Sequence, residues 1–285
     1  MKKVGIIGGS GYTGGELIRL VLHHPALALD FIYSTTRPGT PLHDTHVDLL
    51  GTEIPDFTDQ INPAVDVVFL CVGHGKSAGF LKENKFSEAT IIIDLSNDFR
   101  LKNDASFQGY NFVYGLPELQ RETIEKATAI ANPGCFATAI QLALLPLARK
   151  GMITNPVHIN ATTGSTGAGV GLSASSHFSW RNNNLSWYKP FTHQHLGEIG
   201  ETLDNPKLYF LPQRGDFTRG IFASCYTFFD GNLEDAKTIY KDFYKSHPFT
   251  HVSENEVALK QVINTNNCAI HLHQFEDQLL ITSVI

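Results

Sequence analysis

In this 285-residue sequence, four cysteines and the histidine pair His193 and His195 have the types needed for covalent and acid–base chemistry. Cys71 lies inside the apolar run Val67-Val68-Phe69-Leu70-Cys71-Val72, Cys225 lies inside Ile221–Phe229, and Cys268 opens Cys268-Ala269-Ile270. These three read as strand cysteines, which behave as small hydrophobes. Cys135 differs. It follows the turn Ala131-Asn132-Pro133-Gly134 and opens a helical segment, Phe136–Leu147. A helix N-terminus favours thiolate over thiol, and its N–H groups can hold an oxyanion. Placement alone leaves two readings open: a nucleophile, or a cysteine that merely begins a helix. Pro146 is expected to kink or end that helix near its last turn.

Thiolate attack on a carbonyl needs a proton donor and acceptor nearby, and histidine titrates in the useful range. His193 and His195, in His193-Gln194-His195-Leu196-Gly197-Glu198, are the candidates, with nothing to separate them. No metal is expected. The H-x-H pair lacks a third ligand at a familiar spacing, although His177 could supply one. His271 and His273 alternate on an expected strand and read as its exposed face. Arg100 and Arg219 are candidate anion binders, or else partners in structural salt bridges.

A second kind of chemistry is announced at the start of the chain. Gly9-Ser10-Gly11-Tyr12-Thr13-Gly14, preceded by Gly8, is a G-x-G-x-x-G that follows the apolar run Lys3–Ile7 and opens a helical pattern over Tyr12–Leu22. Glycines there permit a tight turn, close approach of a pyrophosphate, and close helix–strand packing. The expected nucleotide contacts are Gly8, Ser10, Gly11, Tyr12, Thr13 and Gly14. A strand over Ala28–Tyr33 then ends in Ser34-Thr35-Thr36-Arg37, where an NAD site usually carries Asp or Glu. Ser34, Thr36 and Arg37 suit a 2′-phosphate, so NADP is expected, unless Arg37 is only a solvated loop residue. A second glycine-rich loop, Thr163–Gly169, is too flexible for a core and suited to lining a site; Gly164 and Ser165 are placed with the cofactor contacts.

These residues need elements to hold them. Further apolar runs at Val65–Val72, Thr90–Leu95 and Thr128–Ala131 alternate with helical or loop segments, which predicts α/β: a Rossmann-type doubly wound parallel sheet. Beyond Gly151 the pattern changes. Runs at Val157–Thr163, Leu208–Leu211, Arg219–Phe229, Cys268–Leu272 and Gln278–Ile285, with a helix over Leu233–Tyr244, predict a second α+β domain with a mainly antiparallel sheet. The division is nucleotide binding over 1–134 and catalysis and dimerisation over 135–285. The net charge is −6 with no basic stripe, so nucleic acid is not an expected partner. No apolar stretch approaches the ~20 residues of a membrane span. The opening Met1-Lys2-Lys3 run is broken by glycines with no cleavage site, which reads as an unprocessed chain. Four cysteines without a C-x-x-C fit a reducing, cytoplasmic setting.

Several strings in order make the chain resemble the N-acetyl-gamma-glutamyl-phosphate reductase family over nearly its whole length. They are the Gly8–Gly14 turn, Asp94-Leu95-Ser96 through Asp98-Phe99-Arg100-Leu101, Tyr114-Gly115-Leu116-Pro117-Glu118, Ala131-Asn132-Pro133-Gly134-Cys135, and Thr218-Arg219-Gly220-Ile221. The resemblance implies NADPH-dependent reduction of an N-acyl-γ-glutamyl phosphate in arginine biosynthesis. Cys135 would form a thioester, His195 or His193 would move the proton, and Arg100, Asn132 and Arg219 would bind the substrate. It also implies a homo-oligomer. Phe136-Ala137 stands where the family has Tyr-Pro after the cysteine, and Leu196-Gly197 where it has Thr-Pro. Ser173–Phe191 is unlike the family, so the acyl group, acetyl or a larger one such as succinyl, stays open. The sequence ends at Ser283-Val284-Ile285, where the family continues into a glycine-containing segment. An aspartate-semialdehyde dehydrogenase and a non-catalytic NADP-sensing protein are the rival readings; the Tyr114–Glu118 and Asp98–Leu101 strings argue against the first.

Overall fold

The structure, a computed structural model, describes all residues from Met1 to Ile285. Two compact units make up the chain, Met1–Pro133 and Gly134–Ile285. The first contains β1 (Lys2–Ile7), α1 (Tyr12–Leu22), β2 (Leu27–Tyr33), β3 (Phe57–Thr58), β4 (Val67–Leu70), α2 (Ser77–Glu83) and β5 (Ile91–Asp94). A small hairpin, β6 (Ser106–Phe107) and β7 (Tyr110–Asn111), precedes β8 (Val113–Tyr114), α3 (Pro117–Glu125) and β9 (Ala129–Ala131). Seven of these strands form a sheet in the order β3-β2-β1-β4-β5-β9-β8, parallel throughout. Its order reverses beside β1, as in doubly wound nucleotide folds. The strands are apolar runs because both faces are buried. Phe31 belongs to one core cluster and its neighbour Ile32 to another.

The Asp94–Leu101 string is largely a structural knot. Burial pushes the Asp94 carboxyl up, and it accepts hydrogen bonds from Ser77 Oγ (2.5 Å) and Ser96 Oγ (2.7 Å). Asp98 accepts from Gly75 N and Ala78 N at the start of α2. Phe99 stacks on Phe112 with ring centroids 4.0 Å apart.

The second unit contains α4 (Cys135–Arg149), β10 (Val157–Thr163), α5 (Phe178–Arg181), β11 (Ser186–Trp187), α6 (Leu196–Thr202), β12 (Leu208–Arg214) and β13 (Ile221–Phe228). It continues with α7 (Leu233–Tyr244), β14 (Thr250–Ser253), β15 (Cys268–Phe275) and β16 (Gln278–Val284). The sheet order is β11-β12-β10-β13-β16-β15-β14. The β10–β12 and β14–β15 pairs are parallel and the other four antiparallel, a mixed sheet with an antiparallel majority. Ile159, Ala223, Cys225, Ile270 and Ile281 are buried on the face that meets the apolar side of α4. On the opposite face His273 is exposed, whereas His271 is half-buried and its Nδ1 lies 3.2 Å from Ser253 O.

Pro146 does not end α4, contrary to expectation; the helix runs on to Arg149. The reason lies in α7. Proline lacks the N–H that would bond the carbonyl four residues back. The Tyr244 hydroxyl donates to that carbonyl, Leu142 O, at 2.5 Å, and the Tyr240 hydroxyl donates to Ala143 O at 2.5 Å.

Candidate active site

In the first unit the glycine turn is built by close approach. Gly8 has φ +82°, a left-handed conformation that favours glycine. A Cβ on Gly14 would lie 2.7 Å from Gly8 O and from Gly9 Cα, so only glycine lets α1 pack on the turn. His46, which sequence reasoning missed, supports the turn: it is buried and its Nε2 lies 2.8 Å from Gly9 O. α1 has no side-chain cap and no acidic residue in its first turn. Tyr12 and Thr13 are exposed there, with Ser10 and Gly11 half-buried. Such an end suits a pyrophosphate. At the end of β2, Ser34 is buried with its Oγ 3.3 Å from Thr36 Oγ1, and Arg37 is exposed with no acidic partner. Asp30, the only carboxylate on β2, is engaged by Lys3 (3.0 Å) and Asn62 (2.8 Å).

Arg100 is buried. Its Nε donates to Asn132 O (2.8 Å) and its Nη2 to Leu95 O (3.1 Å), so much of its donor capacity fixes the backbone just before the cysteine turn. Asn132 is exposed and gives its Nδ2 to Pro133 O.

In the second unit Gly134 is the N-cap of α4 and Cys135 its first residue, exposed, with no side-chain cap and no acid in the first turn. The Gly134 N–H donates to Glu198 Oε2 at 3.0 Å. A Cβ on Gly134 would stand 2.5 Å from His195 Nε2 and 2.6 Å from Glu198 Oε1. His195 Nε2 lies 3.9 Å from Glu198 Oε1, and both residues are buried. Gln141 ties α4 to α6 by donating to Glu198 O (3.1 Å) and Thr202 Oγ1 (2.9 Å). The His195 ring is therefore held against the residue that precedes Cys135. Burial pushes the Cys71 and Cys225 thiols up to about 12, which leaves them unreactive.

His193 occupies different ground. Its ring lies against Phe136, Tyr188 and Phe210, with centroids 5.4 to 5.6 Å away, and its Nδ1 accepts from His195 N (3.2 Å). Burial, then the charges of Lys189 and Arg214, push its pKa from 6.5 to about 4. Between these two values the unfolded chain holds more protons than the folded one. The stabilisation is complete above pH 6.5 and is lost as pH falls toward 4, by at most about 3 kcal/mol. Urea denaturation at about pH 4.5 and pH 7.5 should show this acid loss in the parent protein and a smaller one in His193→Gln. Equal losses in the two proteins would exclude it.

The Thr163–Gly169 loop is not the flexible segment expected. Gly164 N donates to Gly220 O, Ser165 N to Phe217 O and Thr166 N to Thr218 O, at 2.9 to 3.1 Å. This pairing fixes Gly164 and Ser165 against the stretch that carries the exposed Arg219. His177 caps α5, its Nδ1 accepting from Ser179 N. In this unit the residues missed by sequence reasoning are Glu198, Tyr188 and Arg214. Glu198 had a local signal, its i+3 spacing from His195 on a helix. Arg214 reaches Tyr188 through the β11–β12 pairing, in which Ser186 faces Arg214, and its guanidinium carbon lies 4.3 Å from the Tyr188 ring centroid.

A parallel nucleotide-type unit, followed by a mixed-sheet unit that opens on a cysteine, defines the semialdehyde dehydrogenase class. Two family models match accordingly: the semialdehyde dehydrogenase NAD binding domain over residues 3–127, and the semialdehyde dehydrogenase dimerisation domain over residues 135–285. Among solved structures, aspartate semialdehyde dehydrogenase II from Vibrio cholerae matches with a TM-score of 0.74 at 13% identity, over 100% of this chain and 92% of that one. At that identity the likeness concerns the fold alone. Curated relatives are far nearer in sequence. The N-acetyl-gamma-glutamyl-phosphate reductase of Flavobacterium johnsoniae is 59% identical over 100% of this chain and 90% of its own length. That of Azobacteroides pseudotrichonymphae is 51% identical over 100% of this chain and 89% of its own. The chain belongs to the N-acetyl-gamma-glutamyl-phosphate reductase family.

Proposed function

We propose that this protein reduces an N-acyl-γ-glutamyl phosphate to the N-acyl-glutamate semialdehyde, with release of phosphate, using NADPH. The observation that carries the reading is the placement of Cys135 at the head of α4, with His195 and Glu198 locked onto Gly134. The relatives' names supply the substrate.

The nucleotide fits residues 1–134. Gly8, Ser10, Gly11, Tyr12, Thr13 and Gly14 present the uncapped end of α1 to a pyrophosphate, and Ser34, Thr36 and the unpaired Arg37 suit a 2′-phosphate. Gly164 and Ser165, in the catalytic unit 135–285, are also assigned to the cofactor. When bound, the cofactor supplies a hydride to the acyl carbon.

Cys135 does the covalent work. Its thiolate attacks the acyl carbon, a C–S bond forms, and α4 N–H groups hold the oxyanion. The C–O bond to phosphate then breaks and leaves a thioester on Cys135. His195 Nε2 takes the thiol proton and passes it to the departing phosphate oxygen. After hydride addition the second oxyanion collapses, the C–S bond breaks, and the electron pair returns to sulfur, which a solvent proton restores to the thiol. His193 is the less suitable base, because a group that titrates near 4 is a poor proton acceptor at neutral pH. Its part is to hold the His195 backbone. Arg100 acts mainly by fixing the Asn132 carbonyl, while Arg219 and the Asn132 side chain, both exposed, are assigned to substrate. The enzyme acts in the cytoplasm of arginine-producing cells as a homo-oligomer. Its four cysteines are unpaired, no helix is long and apolar enough to cross a membrane, and the matched second-unit model is a dimerisation domain.

The test is phosphate- and NADP-dependent oxidation of N-acetylglutamate semialdehyde, compared with aspartate semialdehyde. Turnover of the N-acyl substrate is expected, and turnover of aspartate semialdehyde alone would overturn the reading. On the cofactor side, Arg37→Ala should raise the KM for NADPH about 10- to 100-fold and leave that for NADH nearly unchanged. Parallel changes in both would remove Arg37 from the 2′-phosphate.

A further inference from the structure

One part of the catalytic unit carries positive charge with no matching acid. Arg181, on α5, is buried, and it donates Nε and Nη2 to Ser175 O and Nη1 to Arg214 O and Gly215 O, all of them neutral carbonyls. Arg214 ends β12, half-buried, with its guanidinium over the Tyr188 ring and Nη1 given to Ser175 Oγ at 2.8 Å. Lys189 gives its Nζ to Gln194 Oε1. None of the three has a carboxylate within ion-pair distance. The exposed Asp216 only partly offsets the repulsion between Arg181 and Arg214.

The cluster stands beside the nucleophile. The Tyr188 ring lies 6.5 Å from that of Phe136, the residue after Cys135, and 5.6 Å from that of His193. Burial pushes the Tyr188 hydroxyl up to about 12, and charge on Cys135 and on Arg214 both reach it, the first raising it and the second lowering it. Arg181 is spent on carbonyls and cannot turn. Arg214 is held by its stack on Tyr188, a polar contact with the Tyr188 hydroxyl and a bond to Ser175 Oγ, with its Nε–Nη2 edge lacking a carboxylate or carbonyl acceptor. That edge is the planar fork that matches a carboxylate.

We propose that Arg214 is a carboxylate-binding subsite beside Cys135, oriented by Tyr188 and Ser175 and backed by Arg181, and that it takes a carboxylate of the acyl-phosphate substrate. The substrate part of this inference rests on the reductase reading above. The carboxylate is either that of the glutamyl α-carbon or one at the end of the N-acyl chain.

Two arms test it on the full-length protein. In the first, Cys135 is alkylated with iodoacetate, which carries a carboxylate, and with neutral iodoacetamide. Arg214→Gln should slow iodoacetate about 10-fold and iodoacetamide less than about 3-fold, while Arg214→Lys, which keeps the charge, should retain most of the iodoacetate rate. In the second, KM is measured with N-acetyl- and N-succinyl-glutamate semialdehyde. Arg214→Gln should raise KM about 30-fold: for both substrates if the α-carboxylate is bound, for the succinyl compound alone if the chain carboxylate is. Equal slowing of both reagents, or no change in either rate ratio or KM, in a variant with native circular dichroism would overturn the proposal. If Arg214→Gln does not fold, Arg214→Lys decides, since loss of the fork should still raise KM several-fold. The alkylation arm needs no substrate, so it stands even if the reductase reading fails.

Discussion

Replacing Cys135 with serine should lower reductive turnover by at least about 10³-fold while NADPH still binds. A serine hydroxyl titrates far above a thiol, and the head of α4 that can ionise a thiol cannot ionise an alcohol to a useful extent. No other sulfur can take over. Cys71 and Cys225 are held up to about 12 by burial, and Cys268 is buried beside Ser283. The nucleotide turn belongs to Met1–Pro133 and is built from Gly8, Gly14 and His46, none of which the substitution touches. Fluorescence titration with NADPH should therefore give an affinity within about two-fold of the parent, with turnover gone. Residual turnover within ten-fold of the parent would remove Cys135 from the chemistry.

The second large effect is expected at His195. His195→Gln should cost about 10² to 10⁴ in kcat/KM, the usual range for removal of a positioned acid–base group. His193→Gln should cost less than about 10-fold in activity, because its ring titrates near 4 and its contribution is packing and one bond to His195 N. The contrast separates the two residues. If both variants lost activity equally with native stability, the assignment of proton transfer to His195 alone would be wrong. If only the His193 variant lost it, the roles would be reversed. Thermal melts of both variants are needed beside the rates, since Glu198 links His195 to Gly134 and to Gln141.

Local pattern carried much of the fold. The helices over Tyr12–Leu22 and Leu233–Tyr244 and the strand over Val157–Thr163 follow their apolar periodicity to the residue. Strands of two residues, such as β3 and β8, are too short to show a period, and they join the sheet through their neighbours. Pro146 misled for a related reason: the carbonyl it strands is taken by Tyr244, and no local rule shows a partner so far along the chain. The nucleophile's position was legible because a helix start is a local feature. Its surroundings were not. Gly134 meets Glu198 across 64 positions, and Arg214 meets Tyr188 only because β11 turns back on β12. An H-x-H string gives two histidines equal standing; the lowered pKa of one ring, beside Lys189 and Arg214, and the approach of the other to Gly134 separate them. The Asp94–Leu101 string pointed to the family, but much of what its residues do here is structural: Asp94 and Asp98 fix the start of α2, and Arg100 fixes the backbone before the cysteine.

The central claim is that the acyl group passes through Cys135. It can be tested by running the reaction backward without phosphate. Supplied with N-acetylglutamate semialdehyde and NADP, the protein should release a burst of about one NADPH per active site and then stall, because no phosphate is present to cleave the thioester. Mass spectrometry of the quenched protein should find the acyl group on the peptide that contains Cys135, removable by hydroxylamine, and absent from Cys135→Ser. A protein that turns over normally once phosphate is added, yet shows no burst and no acyl group on Cys135, would contradict the account.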